Sequence, residues 1–385
     1  MNKRIYSIDI VRGLIMIIMT LDHSRDFFHY PGHSPLDLQT TTVILFFTRW
    51  ITHFCAPAFL FLSGISVFLT SQHRNKKELS FFLIKRGLWL ILTDIFIITL
   101  LFTFDLQYHI FVLEVLWAIG FGMIILALLI WMPLTVIGAL AVIIIFGHNI
   151  LDYIQLPQNG IEGNLITLYL NAVGSVIPLG TNREIVELYA VIPWTGILLA
   201  GYVFGHLYDV KYEINKRHKI FQLAGLLLIS LFIVLRWINL YGNPNPWTIQ
   251  RNIPYTVLSF LNVTKQPPSL LFISITLGPV LLLLSLAEKF NNRISSICRV
   301  YGNVPYFYFI LHLCLLRLIN VILIVKEGLP TKLSDTSLVW QAPGFGYPLW
   351  CVYLIWVIVV SLLYIPCKWY GQYKQNHKIW WLSYL

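Results

Sequence analysis

The chain has 385 residues, 57% of them hydrophobic and 11% charged, with a mean hydropathy of +0.73. That balance describes an integral membrane protein and excludes an ordinary soluble domain. The formal net charge of +10 would suit a nucleic-acid binder, but the placement of the basic residues argues otherwise.

Ten apolar segments are predicted as membrane spans, at about 8–28, 43–70, 87–104, 110–131, 133–149, 189–209, 220–240, 269–287, 302–325 and 348–367. The expected fold class is an all-α integral membrane protein of about ten transmembrane helices, read as one domain over residues 1–385. The first span is expected to stay in the mature protein, because Asp9 and Arg12 interrupt it and no small-residue cleavage site follows. Alternate linkers collect seventeen Lys and Arg residues, against five (Arg183, Arg251, Lys265, Lys326 and Lys332) in the others. The positive-inside rule then puts both termini in the cytoplasm, and the basic excess faces anionic lipid rather than nucleic acid. The five cysteines fall in or beside apolar segments, and no Cys/His spacing suggests a metal.

Polar residues inside these spans are the candidates for function, since ionisable groups in a bilayer must face protein or water. In the first span Arg12 and His23 are eleven residues apart, so they share a helix face about 16 Å apart along the axis. Asp26 lies on the same stripe and Asp22 adjoins it. The expected topology brings Asp22, His23, Arg25, Asp26, Arg49, His53, Glu114 and Arg236 to the outer half of the bilayer, its three acids balanced by three arginines. The alternative is that Asp9–Arg12 and Asp22–Arg25 are ion pairs that only lock helices. Two long loops, Leu151–Leu188 and Tyr241–Pro268, are expected to face outward. Pro267 and Pro268 suit the first turn of the helix that follows, with Lys265 just before its N-terminus. Pro305 begins the ninth span, and His312 lies near its middle.

A histidine beside carboxylates suits a general base, one carboxylate orienting the ring, and arginines below it suit an anionic donor. No P-loop, dinucleotide fingerprint or nucleophile elbow is present. A transporter or a flippase for lipid-linked sugar is the alternative function, but it predicts paired repeats with broken helices, and no internal symmetry is visible.

Several blocks resemble a known family. Arg12–x10–His23 is similar to the R-x10-H motif of the acyltransferase-3 membrane enzymes, and Gly302-x-x-Pro305-Tyr306 followed by His312 resembles their late histidine helix. SIDIVRGL, LDHSRDFFH, FFTRWITHFCAPAFLFLSG, VIPWTGILLAGYVFG and TKQPPSLLFISITLGP more closely resemble bacterial relatives of the heparan-α-glucosaminide N-acetyltransferase catalytic domain. The resemblance implies a cytoplasmic (inner) membrane acyltransferase that takes an acyl group, expected to be acetyl, from cytoplasmic acyl-CoA to a carbohydrate acceptor outside, with membrane lipids around it and no metal. It implies His23 as the base, with Asp22 and Asp26 beside it. In the heparan branch the presumed catalytic histidine lies in the first outer loop, so His29 and His33 are the runners-up. Expected substrate contacts are Arg12, Arg49, His53, Lys85, Arg86, Glu114, Arg236, Lys265 and His312, with Lys85 and Arg86 near the donor's nucleotide end.

Overall fold

A computed structural model describes residues 5–32, 34–157, 160–172, 174–290, 292–329 and 344–377. In chain order its helices begin with α1 (Tyr6–Phe28), α2 (Val43–Thr52), α3 (Cys55–Ser71), α4 (Lys76–Leu92) and α5 (Thr99–Thr103). They continue with α6 (Val115–Leu129), α7 (Leu134–Gly147), α8 (Gly160–Tyr169), α9 (Val191–Gly205) and α10 (Ile214–Ile238). The last are α11 (Ile253–Leu261), α12 (Leu270–Ala287), α13 (Arg293–Gly302), α14 (Pro305–Lys326) and α15 (Leu349–Asn376). Three short strands, β1 (Ile110–Leu113), β2 (Ser175–Pro178) and β3 (Glu184–Glu187), form one sheet with β3 central, parallel to β1 and antiparallel to β2.

Each of the ten anticipated spans contains helix, and the protein is an all-α membrane protein. Among the described residues, seven helical stretches are long and apolar enough to cross a membrane. Large apolar side chains on α10 and α15, such as Leu227, Trp237, Leu354 and Trp369, are exposed, as a lipid-facing surface requires.

The boundaries differ from the expected ones for local reasons. The second span divides into α2 and α3 at His53 and Phe54. Pro57 has no N–H to give the carbonyl of His53, so the first helix stops there and Pro57 enters the first turn of the next. The third span starts at Lys76 rather than 87, because Asn75 and Glu78 form a capping box before a polar first turn. Pro267 and Pro268 lie before the N-cap of α12 rather than in its first turn: Ser269 is the N-cap and accepts from Phe272 N at 3.1 Å. Pro305 does open its helix.

The first helix is the hub. It packs on α2, α3, α12, α13, α14 and α15. Its approach to α13 is backbone on backbone: a Cβ on Gly13 would sit 1.8 Å from Cys298 O, and one on Gly302 would sit 1.9 Å from Asp9 O. Enclosure on so many sides leaves the polar residues of α1 no route to bulk water except through a cavity.

At the end of the central strand β3, Glu187 is fully buried, with no cation in ion-pair range among the described residues. Burial, together with the nearby Asp94 carboxylate, pushes its pKa up to about 9 from 4.5. The folded chain thus holds a proton that the unfolded chain releases. Stability is greatest below the unfolded value and falls as pH rises from about 4.5 to about 9. Glu187→Gln should flatten this decline and raise the melting temperature at pH 8 relative to the parent, read by a fluorescence melt in detergent. A parallel pH dependence in both proteins would contradict it.

Candidate active site

A cavity of about 780 Å³ opens beside the C-terminal part of α1. Asp22, His23, Arg25 and Asp26 of α1, Arg49 of α2 and His53 at the helix break line it. So do Glu114, which immediately precedes α6, Leu188 and Tyr189 before α9, and Asn262–Gln266 before α12. Residues Tyr30–Gly32 and Ser34–Leu36 form a further wall.

On a helix, consecutive residues point about 100° apart, so Asp22 and His23 serve different neighbours. Asp22 faces α2. Its two oxygens accept from Arg49 Nη1 at 2.7 and 2.6 Å, and Thr52 Oγ1 donates to it at 2.8 Å. Arg25 Nη2 lies 2.8 Å from Asp22 and 2.5 Å from Asp26. The two carboxylates and two arginines thus neutralise one another at the base of the cavity.

His23 faces α14. Its Nδ1 lies 2.7 Å from His312 Nε2, and His312 Nδ1 lies 3.0 Å from the Tyr308 carbonyl. The chain of contacts defines the tautomers. A carbonyl only accepts, so His312 Nδ1 carries the proton and donates; neutral His312 then accepts at Nε2, and His23 donates from Nδ1. His23 Nε2 is left with a free lone pair and no hydrogen bond among the described residues. Tyr308 itself is fixed by its hydroxyl to Thr20, 2.7 Å away, and its ring stacks on His312. Phe102 and Phe309 close on the His23 ring edge to face. The ring is therefore oriented by a second histidine, not by a carboxylate as the sequence suggests, because Asp22 is turned away to α2.

The other expected residues are dispersed. Arg12 is not a cavity residue: its guanidinium donates to Ser66 Oγ at 2.7 Å and Gly302 O at 3.3 Å, with Asp9 at 3.5 Å. Lys85 is exposed on α4 over the Phe81 ring, and Arg86, on the same helix, also lies away from the cavity lining. Arg236 is buried and donates to four backbone carbonyls, those of Asn245, Ser259, Phe260 and Asn262, at 2.7–2.9 Å, which shapes the loop that leads to Lys265. His53 lines the cavity, its ring edge to face with Phe272 and neither nitrogen hydrogen-bonded among the described residues. His29 lines the cavity with Nδ1 3.1 Å from Tyr347 O, and His33 lies outside the described residues. Burial and the Arg49 guanidinium pull the pKa of Lys265 below its usual value.

Sequence reasoning missed Tyr308, Thr20 and Tyr189. Tyr308 is one turn before His312, a spacing that could have signalled a stacked pair; Tyr189 had no such cue. Among the described residues no group of three or more His, Cys, Asp or Glu side chains is placed to hold a metal.

Removing the Asp22 carboxylate tests the ion cluster. Asp22→Ala strands Arg49 and half-strands Arg25, which should cost about 3–5 kcal/mol, as for a broken buried pair. Asp22→Asn, which keeps an accepting oxygen, should cost less. Melting in detergent is the measurement, and equal stability of Asp22→Ala and the parent would refute the assigned role.

A family model described as "Heparan-alpha-glucosaminide N-acetyltransferase, catalytic" matches residues 4–237. That stretch holds His23, Asp22, Arg49, His53 and Glu114, whereas Lys265 and His312 follow it. No curated protein matches the chain.

Proposed function

The chain belongs to the heparan-alpha-glucosaminide N-acetyltransferase catalytic family, and we propose that it carries an acetyl group from cytoplasmic acyl-CoA to a sugar on the opposite side of the membrane. Family membership makes it a membrane acetyltransferase. The observation that supports His23 as the base is its hydrogen bond to His312, which leaves Nε2 of this cavity-lining ring unprotonated.

In this reading the acceptor's hydroxyl or amine enters the cavity and gives its proton to His23 Nε2 as its oxygen or nitrogen attacks the thioester carbonyl. The new C–O or C–N bond forms, the carbonyl electrons move onto oxygen, and collapse breaks the C–S bond. His23 then returns the proton to the departing thiolate. His312 is a positioning residue: it accepts from His23 Nδ1 and supports the imidazolium between the two transfers. Arg12, held by Ser66 and Gly302, lines the donor's route in this reading, and Lys85 and Arg86 meet its phosphates. His29 remains the runner-up base, and its bond to Tyr347 O argues for a structural part. Asp22 and Asp26 set the charge of the cavity wall.

His23→Ala should lower acetyl transfer from acetyl-CoA to sugar acceptors by about 10²–10⁴-fold while the protein stays folded in the membrane. His29→Ala and His33→Ala should lose far less. His312→Gln, whose amide oxygen still accepts, should retain more activity than His312→Ala. An active His23→Ala with a dead His33→Ala would replace this mechanism with one based on the loop. Intact protein with no transfer to any sugar would favour a transporter.

Sidedness has its own test. A single cysteine at Thr181, between β2 and β3, in a variant otherwise free of cysteine should react with an impermeant maleimide on intact cells. Reaction only after the inner face is opened would invert the topology and move the acceptor to the cytoplasm.

A further inference from the structure

Three cations line the cavity, and two of them are already neutralised. Arg49 is bound to both oxygens of Asp22, and Arg25 bridges Asp22 and Asp26. Lys265 differs. Among the described residues its ammonium has no ion pair and no hydrogen bond, only the Tyr189 ring, whose centroid is 5.2 Å from Nζ. Glu114, the residue just before α6, lines the same cavity but is not in ion-pair range of Lys265. The acids and cations of the lining balance in number, but an ammonium with no directly bonded anion can still take a charged ligand group at hydrogen-bond distance.

Resting on the acyl-transfer reading, we propose that Lys265 binds a negatively charged group of the acceptor (a carboxylate, sulfate or phosphate) and so selects acidic sugars over neutral ones. The side of the cavity decides between acceptor and donor. Lys265 sits in the cavity wall with Asn262, Thr264 and Gln266, whereas Arg12, which this reading gives to the donor, is not a cavity residue and lies eleven residues before His23 on α1. The neutral amide and hydroxyl groups beside Lys265 suit the hydroxyls of a sugar ring. Arg236 supports the arrangement from behind by clamping the carbonyls of Asn245 and Asn262.

The test is calorimetric titration of the full chain in detergent, without donor. Methyl glucuronide is compared with methyl glucoside, and glucose 6-phosphate with glucose. In the parent each charged sugar should bind more tightly than its neutral twin by about 10- to 100-fold, the worth of one charge-assisted hydrogen bond. Lys265→Gln should abolish that preference, and Lys265→Arg should keep most of it. Equal affinities in the parent, or a preference that survives in Lys265→Gln, would overturn the proposal. Acetyl transfer gives a second readout. If Lys265→Gln slows transfer to charged and neutral sugars equally while their binding is unchanged, the lysine serves the thioester, and the proposal is again overturned. Because the titration needs no turnover, a charge preference tied to Lys265 in a protein that transfers nothing would leave this recognition standing while the acyl-transfer reading fails.

Discussion

The Asp22 carboxylate is the contact on which the site depends. It is bound at once by Arg49 of α2, Arg25 one turn along α1, and Thr52 at the end of α2. Because α1 is enclosed by six other helices, its charges have no bulk water to fall back on, and each must find a partner in the protein. One carboxylate meets that demand for two arginines and ties α1 to α2 in doing so. The helix break at His53 follows one residue after Thr52, so the same contact also sets where the cavity wall turns.

With Asp22 committed to α2, the adjacent His23 is directed to a different helix and a different partner. A carboxylate partner would hold a charged imidazolium strongly and make it slow to release its proton. A neutral histidine holds the ring in one tautomer without adding charge to a cavity whose arginines are already balanced. The Tyr308 carbonyl and the Thr20–Tyr308 hydroxyl contact extend this chain back to α1, so both ends of the relay rest on the same helix.

How much of this is legible in the sequence depends on whether the signal is local. The Arg12–His23 spacing, the charge stripe, the basic bias of the linkers and the turn of Pro305 are local, and all are readable from helical geometry or composition. The hub of Asp22 is half readable: Arg25 follows from the i, i+3 spacing, but Arg49 comes from another helix. The pairing of His23 with His312, 289 residues apart, has no local trace, since it needs the crossing of α1 and α14. β2, β3 and α8 are equally hidden, because they arise inside a long loop whose short β-branched runs carry too little periodicity to mark strands, and β1 is hidden in the apolar run that reads as the start of the fourth span. Arg236 shows the opposite failure. Its charge inside an apolar span marks it for function, and the sequence cannot reveal that four backbone carbonyls consume it.

The contrast between Arg236 and Lys265 separates two uses of a buried cation. Arg236 is in the last turn of α10 and Lys265 lies between α11 and α12, and either would read as a substrate contact on charge alone. Arg236 has every carbonyl it needs at hydrogen-bond distance, so a ligand would have to break those bonds to reach it. Lys265 offers three donors to a cavity and to an aromatic face, and an incoming anion need break no hydrogen bond of its ammonium among the described residues. The arginine clamp gains its meaning from that difference: it fixes the backbone of the loop that carries the Lys265 ammonium into the cavity wall.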